Sequence, residues 1–464
     1  MFFERIYEEG LAQASYFVAC QESKEAIIID PKRDIDTYLQ LAGRKKYKIT
    51  KVTETHIHAD FLSGSRELVQ ATGAELLLSN EGRDNWQYEF DHTALYDGDT
   101  FWLGNIKFEV LFTPGHTPEH ISFLLTDTPA SDAASMIFTG DFVFVGDVGR
   151  PDLLEETAGL TGTKVTGARQ MFQSLKRFKQ LPEYIQVWPG HGAGSACGKA
   201  LGAVPGTTVG YEKIYNWALR QDNENDFIEA LLDGQPEPPK YFAMMKKLNK
   251  INRPLIKELT PPDCLNIDQL ETALKENIPV IDTRDKILFA GAHIPGTINI
   301  QNNNDFSTWA GWLLSYDQPF ILICDKNQVE EITRKLVRIG MDNIYGYFCD
   351  TDGWNKRNSM QTLNLIEASE LGKIIAENNC DIIDVRGLNE YKEGHIKSAH
   401  HIHLGELYNR LNELEKDKHI VMHCASGDRS STACSILQKE GFKKVTNLAG
   451  GFNAWKESGL EFEN

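Results

Sequence analysis

The sequence has no long apolar run: no stretch reaches the roughly 20 residues that a membrane span needs. Met1-Phe2-Phe3-Glu4-Arg5 lacks the basic flank and apolar core of a signal peptide. A cytoplasmic location is the default expectation, with no membrane partner. Positive charge is also short. Against 66 Asp and Glu stand 48 Lys and Arg, a formal net charge of −18, which argues against nucleic acid or anionic lipid as the main partner. Cysteines are few and scattered. The eight, Cys20, Cys197, Cys264, Cys324, Cys349, Cys380, Cys424 and Cys434, form no CxxC pair and no regular framework, so reduced thiols are expected.

What is present is an ordinary globular composition over 464 residues, 41% hydrophobic and 25% charged, enough for about two to four domains. The informative stretch is Thr55-His56-Ile57-His58-Ala59-Asp60, which follows the β-branched run Ile49-Thr50-Lys51-Val52-Thr53. It reads as a strand end, where a spacing of two puts His56, His58 and Asp60 on one side of an extended backbone. Imidazole and carboxylate can then converge on a cation. Thr113-Pro114-Gly115-His116-Thr117-Pro118 brings another histidine after the strand-like Phe108–Phe112, and Phe138-Thr139-Gly140-Asp141 brings a carboxylate after a further apolar run.

These three strand ends, with the later Trp188-Pro189-Gly190-His191-Gly192, resemble the metallo-β-lactamase superfamily over roughly residues 1–250. The resemblance implies an αββα sandwich. Its glyoxalase II-type thioesterases carry HxHxDH and hold two metals, but here the last position is Phe61, which cannot donate a lone pair. What remains is similar to the persulfide dioxygenase branch, which implies one Fe(2+) per chain held by His56, His116 and Asp141. Two imidazoles and a carboxylate on one face leave positions for sulfur and O2. His58, Asp60 and His191 are then expected close by, orienting ligands or substrate, with His58 near the iron without binding it.

Elsewhere in this first region, Tyr16–Ala19 and Glu25–Asp30 read as a hairpin, Ser65–Thr72 as a helix stopped by Gly73, and Glu75–Leu78 as a strand. Arg150, in the charged loop Val145–Asp152, either binds the carboxylate of a thiol substrate through its fork or pairs with Asp147 or Asp152. Residues 164–180 read as an amphipathic helix with Val165, Met171, Phe172, Leu175 and Phe178 in the core. Cys197, in the turn Gly192–Gly198, either meets substrate or is a small buried side chain. Helical periodicity over 210–250 gives way to a linker from Arg253-Pro254 to Pro261-Pro262.

Beyond the linker the chain repeats itself with a period of about a hundred residues. Val280–Arg284 matches Ile382–Arg386, Ala292–Gly296 matches Gly394–Ser398, Phe320–Cys324 matches Ile420–Cys424, and Trp354 matches Trp455. Each copy alternates β-branched runs with helical patterns, as in an α/β unit on a mainly parallel sheet. The Asp-x-Arg and Gly-His-Ile elements resemble those of rhodanese domains, in which Asp282, Arg284, His293 and their counterparts are read as turn and ion-pair fixtures.

In the second copy His423-Cys424-Ala425-Ser426-Gly427-Asp428-Arg429-Ser430 lies between a buried-type strand and a helix, and resembles the rhodanese active-site loop. Six residues from Cys424 to Arg429 can curl backbone N–H groups toward sulfur while the helix N-terminus and Arg429 add positive potential. Cys424 is the expected nucleophile and persulfide carrier, with Arg429 beside it and Ala425, Ser426, Gly427 and Asp428 cradling the sulfur. Tyrosine phosphatases have one more residue between cysteine and arginine, so the shorter spacing favours sulfur over phosphate. In the first copy Cys324 is followed by Asp325-Lys326-Asn327-Gln328-Val329-Glu330, without glycine or arginine. That copy is expected to be inactive, a spacer between the active domains or a dimerisation element.

The organisation thus expected is 1–255, a metallo-β-lactamase-fold dioxygenase; 263–356, an inactive rhodanese-like domain; and 362–464, a catalytic rhodanese. It is similar to persulfide dioxygenase–sulfurtransferase fusions of bacterial sulfide detoxification. The resemblance implies oxidation of a low-molecular-weight thiol persulfide (glutathione, coenzyme A or bacillithiol) by O2 to sulfite, and sulfane-sulfur transfer that makes or uses thiosulfate. A homo-oligomer is expected. The alternative is a dinuclear zinc thioester hydrolase fused to a sulfur-carrier rhodanese.

Overall fold

In the computed structural model the residues described are 1–82, 86–153, 155, 162–199, 201–377 and 380–464. They form two units, Met1–Leu259 with Val337–Gly340, and Thr260–Leu336 with Met341–Asn464.

The first unit is built on two six-stranded sheets. One runs in sequence order: β1 (Phe2–Glu8), β2 (Gln13–Ala19), β3 (Glu25–Ile29), β4 (Lys48–Thr53), β5 (Glu75–Ser79) and β6 (Thr93–Leu95). The first three are antiparallel and the rest join in parallel. The other sheet comprises β7 (Thr100–Leu103), β8 (Ile106–Phe112), β9 (Ile121–Asp127), β10 (Met136–Gly140), β11 (Gln186–Pro189) and β12 (Thr207–Thr208), also in sequence order, with β10 and β11 parallel.

Strand alternation sorts residues between layers. On β3, Ile27 and Ile29 face the core between the sheets, with Phe108 and Val110 of β8, while Ala26 and Ile28 face outward toward Tyr38 and Leu41 of the helix Asp36–Lys45. On the far side the helix Thr163–Phe178 packs Met171, Phe172, Leu175 and Phe178 against β10 and β11. The result is the αββα order expected. Val165 departs from the expectation: it lies in the first turn, ahead of the helix's first buried residue, Gly167, and is 40% exposed. Ser65–Thr72 is helical and Gly73 ends it, as read from sequence.

The second unit holds the two repeats. In the first, β13 (Val280–Asp282), β14 (Ile298–Asn299), β15 (Phe320–Ile323) and β16 (Ile344–Phe348) form a parallel sheet of order β14-β13-β15-β16. In the second, β17 (Asn364–Ile366), β18 (Asp381–Asp384), β20 (His400–His401), β21 (His419–His423) and β22 (Lys444–Leu448) take the order β17-β22-β21-β18-β20, while β19 (His395–Ile396) pairs with β23 (Phe462–Glu463). The central β15 is buried along its length and β21 from Ile420 on, as parallel strands covered on both faces must be. Trp354 and Trp455 occupy the cores of their respective copies.

Candidate metal centre and sulfur-transfer loop

The four stretches singled out in the first unit meet beyond the strand ends. His56 follows β4, His116 follows β8, Asp141 immediately follows β10 and His191 follows β11. The Nε2 atoms of His116 and His191 each lie 3.5 Å from Asp141 Oδ2, and that of His56 lies 3.8 Å away. Each imidazole is held from behind. His56 Nδ1 lies 3.0 Å from Thr55 Oγ1, whose own proton goes to Asp30, so Nδ1–H donates. His116 Nδ1 donates to Arg150 O at 2.8 Å and His191 Nδ1 to Ala12 O at 3.0 Å. With Nδ1 protonated in His56 and His116, two Nε2 lone pairs face a carboxylate with no proton between them.

That arrangement is repulsive unless a cation sits in it. His56 Nε2, His116 Nε2 and both Asp141 oxygens are buried without hydrogen-bond partners, the signature of atoms reserved for coordination. His56, His116 and Asp141 form one group able to hold a metal ion. Burial and the neighbouring imidazoles hold His56 well below its ordinary pKa; burial and Lys246 do the same for His116, so both are neutral donors. The backbone packs closely around Asp141. A Cβ on Gly149 would fall 1.8 Å from Asp141 O, and one on Gly190 2.7 Å from Asp141 Oδ1.

The other expected residues divide. His58 lies beside the cage, its ring 4.2 Å from that of His56, but Nε2 bonds Asp30 at 3.0 Å. Burial opposes its charge, yet Asp30 outweighs it and carries the group up to about 9, so His58 is an imidazolium without a lone pair to give. The reading of residues 55–60 as an extended strand end needs correction: β4 stops at Thr53 and the motif runs through bends. Asp60 therefore meets His191, 3.3 Å away, rather than lining up with His56.

Asp60, His191 and Cys197 form a second group that could hold an ion. Cys197 is buried, and burial with the Asp141 and Asp60 carboxylates keeps its thiol well above the ordinary value. Phe61 is buried with its ring 4.3 Å from that of His58.

Arg150 does not present its fork to a substrate. It is 1% exposed, bonds Asp152 through Nε at 2.8 Å and Nη2 at 2.5 Å, and gives Nη1 to the carbonyls of Ala196 and Pro236. Its loop is buried, and there an unpaired guanidinium is too costly to leave pointing at a pocket. The cation near the cage without a hydrogen-bond partner among the described residues is Lys246, from the helix Tyr241–Lys250. Burial pulls it down to about 8, opposed by the Glu119 and Asp152 carboxylates.

Several functional residues escaped the sequence reading. His120 accepts from the Asp141 N–H at 3.1 Å and lies 2.9 Å from Thr113 Oγ1. Glu119 takes the Ile57 N–H at 2.8 Å. Asn249 gives its amide to the carbonyls of His58 and Phe61 and accepts from Ser63 N, clamping the metal-site loop onto the Tyr241–Lys250 helix. Only His120, four residues after His116, carried a sequence signal. Arg253, read as the start of a linker, is buried on Glu67 at 2.6 and 3.0 Å.

In the second rhodanese-like copy Cys424 is buried at the end of β21, with Gly427 N–H donating to its Sγ at 3.1 Å and Ser430 Oγ 3.5 Å away. Arg429 sits against the same sulfur, oriented by a two-point bond to Glu390 at 2.6 and 2.8 Å. The loop carbonyls of Cys424 and Ala425 are tied to the N–H groups of Phe452 and Asn453. Ser426 Oγ donates to Asp428 at 3.0 Å. Arg386 and Arg284 fork onto Asp384 and Asp282, the ion pairs expected.

In the first copy Cys324 is buried and pushed up to about 12 by burial and Asp325. That copy nonetheless touches the Cys424 loop. Lys286, in the helix Lys286–Gly291, donates to Ser426 O at 2.9 Å and pairs with the Asp428 carboxylate.

Comparison with known proteins agrees with this architecture. The metallo-beta-lactamase superfamily model matches residues 9–191, and the rhodanese-like domain model matches 266–357 and 367–458. A crystal structure described as a metallo-beta-lactamase from Staphylococcus aureus subsp. aureus COL is 45% identical, covering 75% of this chain and 98% of that one, with a TM-score of 0.68. The probable polyketide biosynthesis zinc-dependent hydrolase BaeB of Bacillus velezensis is 28% identical over 42% of this chain and 80% of its own length. The putative sulfur carrier protein YrkF of Bacillus subtilis is 41% identical over 83 residues, 18% of this chain and 45% of that protein. Among the described residues no helix is long and apolar enough to cross a membrane.

Proposed function

Because this chain belongs to the metallo-beta-lactamase superfamily and carries two rhodanese-like domains behind that fold, we propose that it oxidises a thiol persulfide with O2 to sulfite at one Fe(2+) and moves sulfane sulfur through Cys424. The observation carrying the first activity is Phe61: at the position where a two-metal thioesterase has a ligand, a buried ring packs on His58. His56, His116 and Asp141 form one compact donor set, and two imidazoles with one carboxylate suit a mononuclear ferrous site. When bound, iron supplies the redox step that ground-state O2 and closed-shell sulfur lack.

The residues around it have separate tasks. Arg150 O and Thr55 fix which nitrogen of His116 and His56 is protonated, His120 holds the Asp141 backbone, and the His58 Nδ1 is buried without a hydrogen-bond partner. Lys246 provides positive charge for an anionic substrate. In the second copy the Gly427 N–H and Arg429 stabilise Cys424 as thiolate and as persulfide, whose sulfur passes to or from sulfite.

Oxygen uptake with glutathione, coenzyme A and bacillithiol persulfides, with sulfite and thiosulfate measured, tests this. His116→Ala is expected to abolish oxygen uptake and leave thiosulfate sulfurtransfer, and Cys424→Ser to do the reverse; equal losses of both activities in both variants contradict two sites. A second reading, a dinuclear zinc thioester hydrolase, is favoured by the Asp60, His191 and Cys197 group and by the hydrolase relative. Two zinc ions per chain with thioester turnover and no oxygen uptake would establish it.

A further inference from the structure

The first rhodanese-like copy lacks a sulfur cradle, yet it carries a different arrangement of thiols. The segment entering that copy pairs in parallel with β16: Tyr347 N donates to Asp263 O at 2.9 Å and Leu265 N to Tyr347 O at 2.7 Å, with Cys264 opposite Tyr347. Cys349 comes two residues after Tyr347, so the ladder brings its side chain next to that of Cys264. The two Sγ atoms lie 3.9 Å apart, and both residues are exposed. The proximity is set by backbone pairing and not by two mobile side chains finding each other.

The surroundings distinguish the two sulfurs. The Tyr347 hydroxyl lies against Cys264 and is pushed up to about 12 by that contact, so it keeps its proton. Cys349 is held above its ordinary value by burial and by its hydrogen bond to Cys264, and so keeps its proton. Cys324, in the same copy, is buried.

We propose that Cys264 and Cys349 are a redox-active dithiol that accepts sulfane sulfur from low-molecular-weight persulfides and closes to a disulfide. The Cys264 thiolate attacks the outer sulfur of RSSH, the S–S bond of RSSH breaks, and RS⁻ leaves and is protonated to RSH. Cys349 then attacks the inner sulfur of the Cys264 persulfide, forming the Cys264–Cys349 bond and expelling HS⁻, which takes up a proton. In sum, RSSH and two protein thiols give RSH, hydrogen sulfide and one disulfide: the sulfane sulfur is reduced and the two thiols are oxidised. The step needs no oxygen and no metal.

The test uses the full-length chain carrying Cys424→Ser, reduced, freed of oxygen and exposed to glutathione persulfide, then alkylated, digested and analysed by mass spectrometry. A disulfide-linked peptide pair containing Cys264 and Cys349, reversed by dithiothreitol and accompanied by sulfide release, is expected. Adding Cys349→Ser should stop the reaction with one extra sulfur on Cys264; adding Cys264→Ser should leave Cys349 alkylated as a free thiol. Recovery of both cysteines as free thiols after persulfide treatment overturns the proposal, as does a disulfide joining either of them to another cysteine. Neither result bears on the metal site, since oxygen is excluded.

Discussion

The main-chain carbonyl of Arg150 accepts the His116 Nδ1 proton at 2.8 Å while the guanidinium of the same residue is locked onto Asp152. Arg150 therefore acts on the metal cage from behind. Asp152→Asn removes a charge from this lock, and it is expected to weaken metal retention about 10–100-fold, the usual scale for a support behind a ligating histidine. Chelator competition and KM for a thiol persulfide, measured on the same protein, check this. A raised KM at full metal occupancy would instead return Arg150 to the substrate.

Lys246 is buried among Glu119, Cys197 and Asp152 and is pulled down to about 8 by burial. Its ammonium is present below that pH and lost above it, so KM for an anionic persulfide is expected to rise as pH passes through about 8. Lys246→Met should show the high KM throughout, without that step. The pH profile of KM, at constant metal content, decides it.

Lys286 spans the two rhodanese-like copies, holding the Ser426 carbonyl and the Asp428 carboxylate. Lys286→Met is expected to raise KM for thiosulfate by about tenfold, equivalent to roughly 1.4 kcal/mol, with kcat little changed and Lys286→Arg restoring most of the loss. Unchanged kinetics in Lys286→Met would reduce the first copy to a spacer.

Burial holds His423 down at about 4 despite Asp384 nearby. The unfolded chain takes up this proton near the ordinary value of about 6.5, so between those values the unfolded state binds more protons than the native one and stability falls as pH falls. The contribution is complete above about 6.5 and its loss by pH 4 is on the order of 2–3 kcal/mol. Thermal unfolding across that range is expected to show the slope, and His423→Phe to flatten it.

The strand ends that carry His56, His116, Asp141 and His191 were legible because each motif breaks an apolar run, and the repeat was legible because Cys424 and Cys324 follow matching strands. Side-chain partnerships across long sequence separations were not. Nothing around Arg150 says that Asp152 rather than Asp147 captures it; that depends on burial. Glu390, 39 residues from Arg429, and Asn249, nearly two hundred from His58, act through contacts that only the folded chain creates. The strand rule failed at residues 55–60 because β4 ends at Thr53 and alternation ends with it.

Gly190 lets the main chain come close to the Asp141 carboxylate, and Gly149 does the same at the Asp141 main-chain carbonyl. A carboxylate walled by main chain is already poised before any ion arrives, so loading requires little rearrangement of the protein. Such a socket resists adapting to a guest of different size or preferred coordination, and so replacing one divalent ion by another would change reactivity far more than shape.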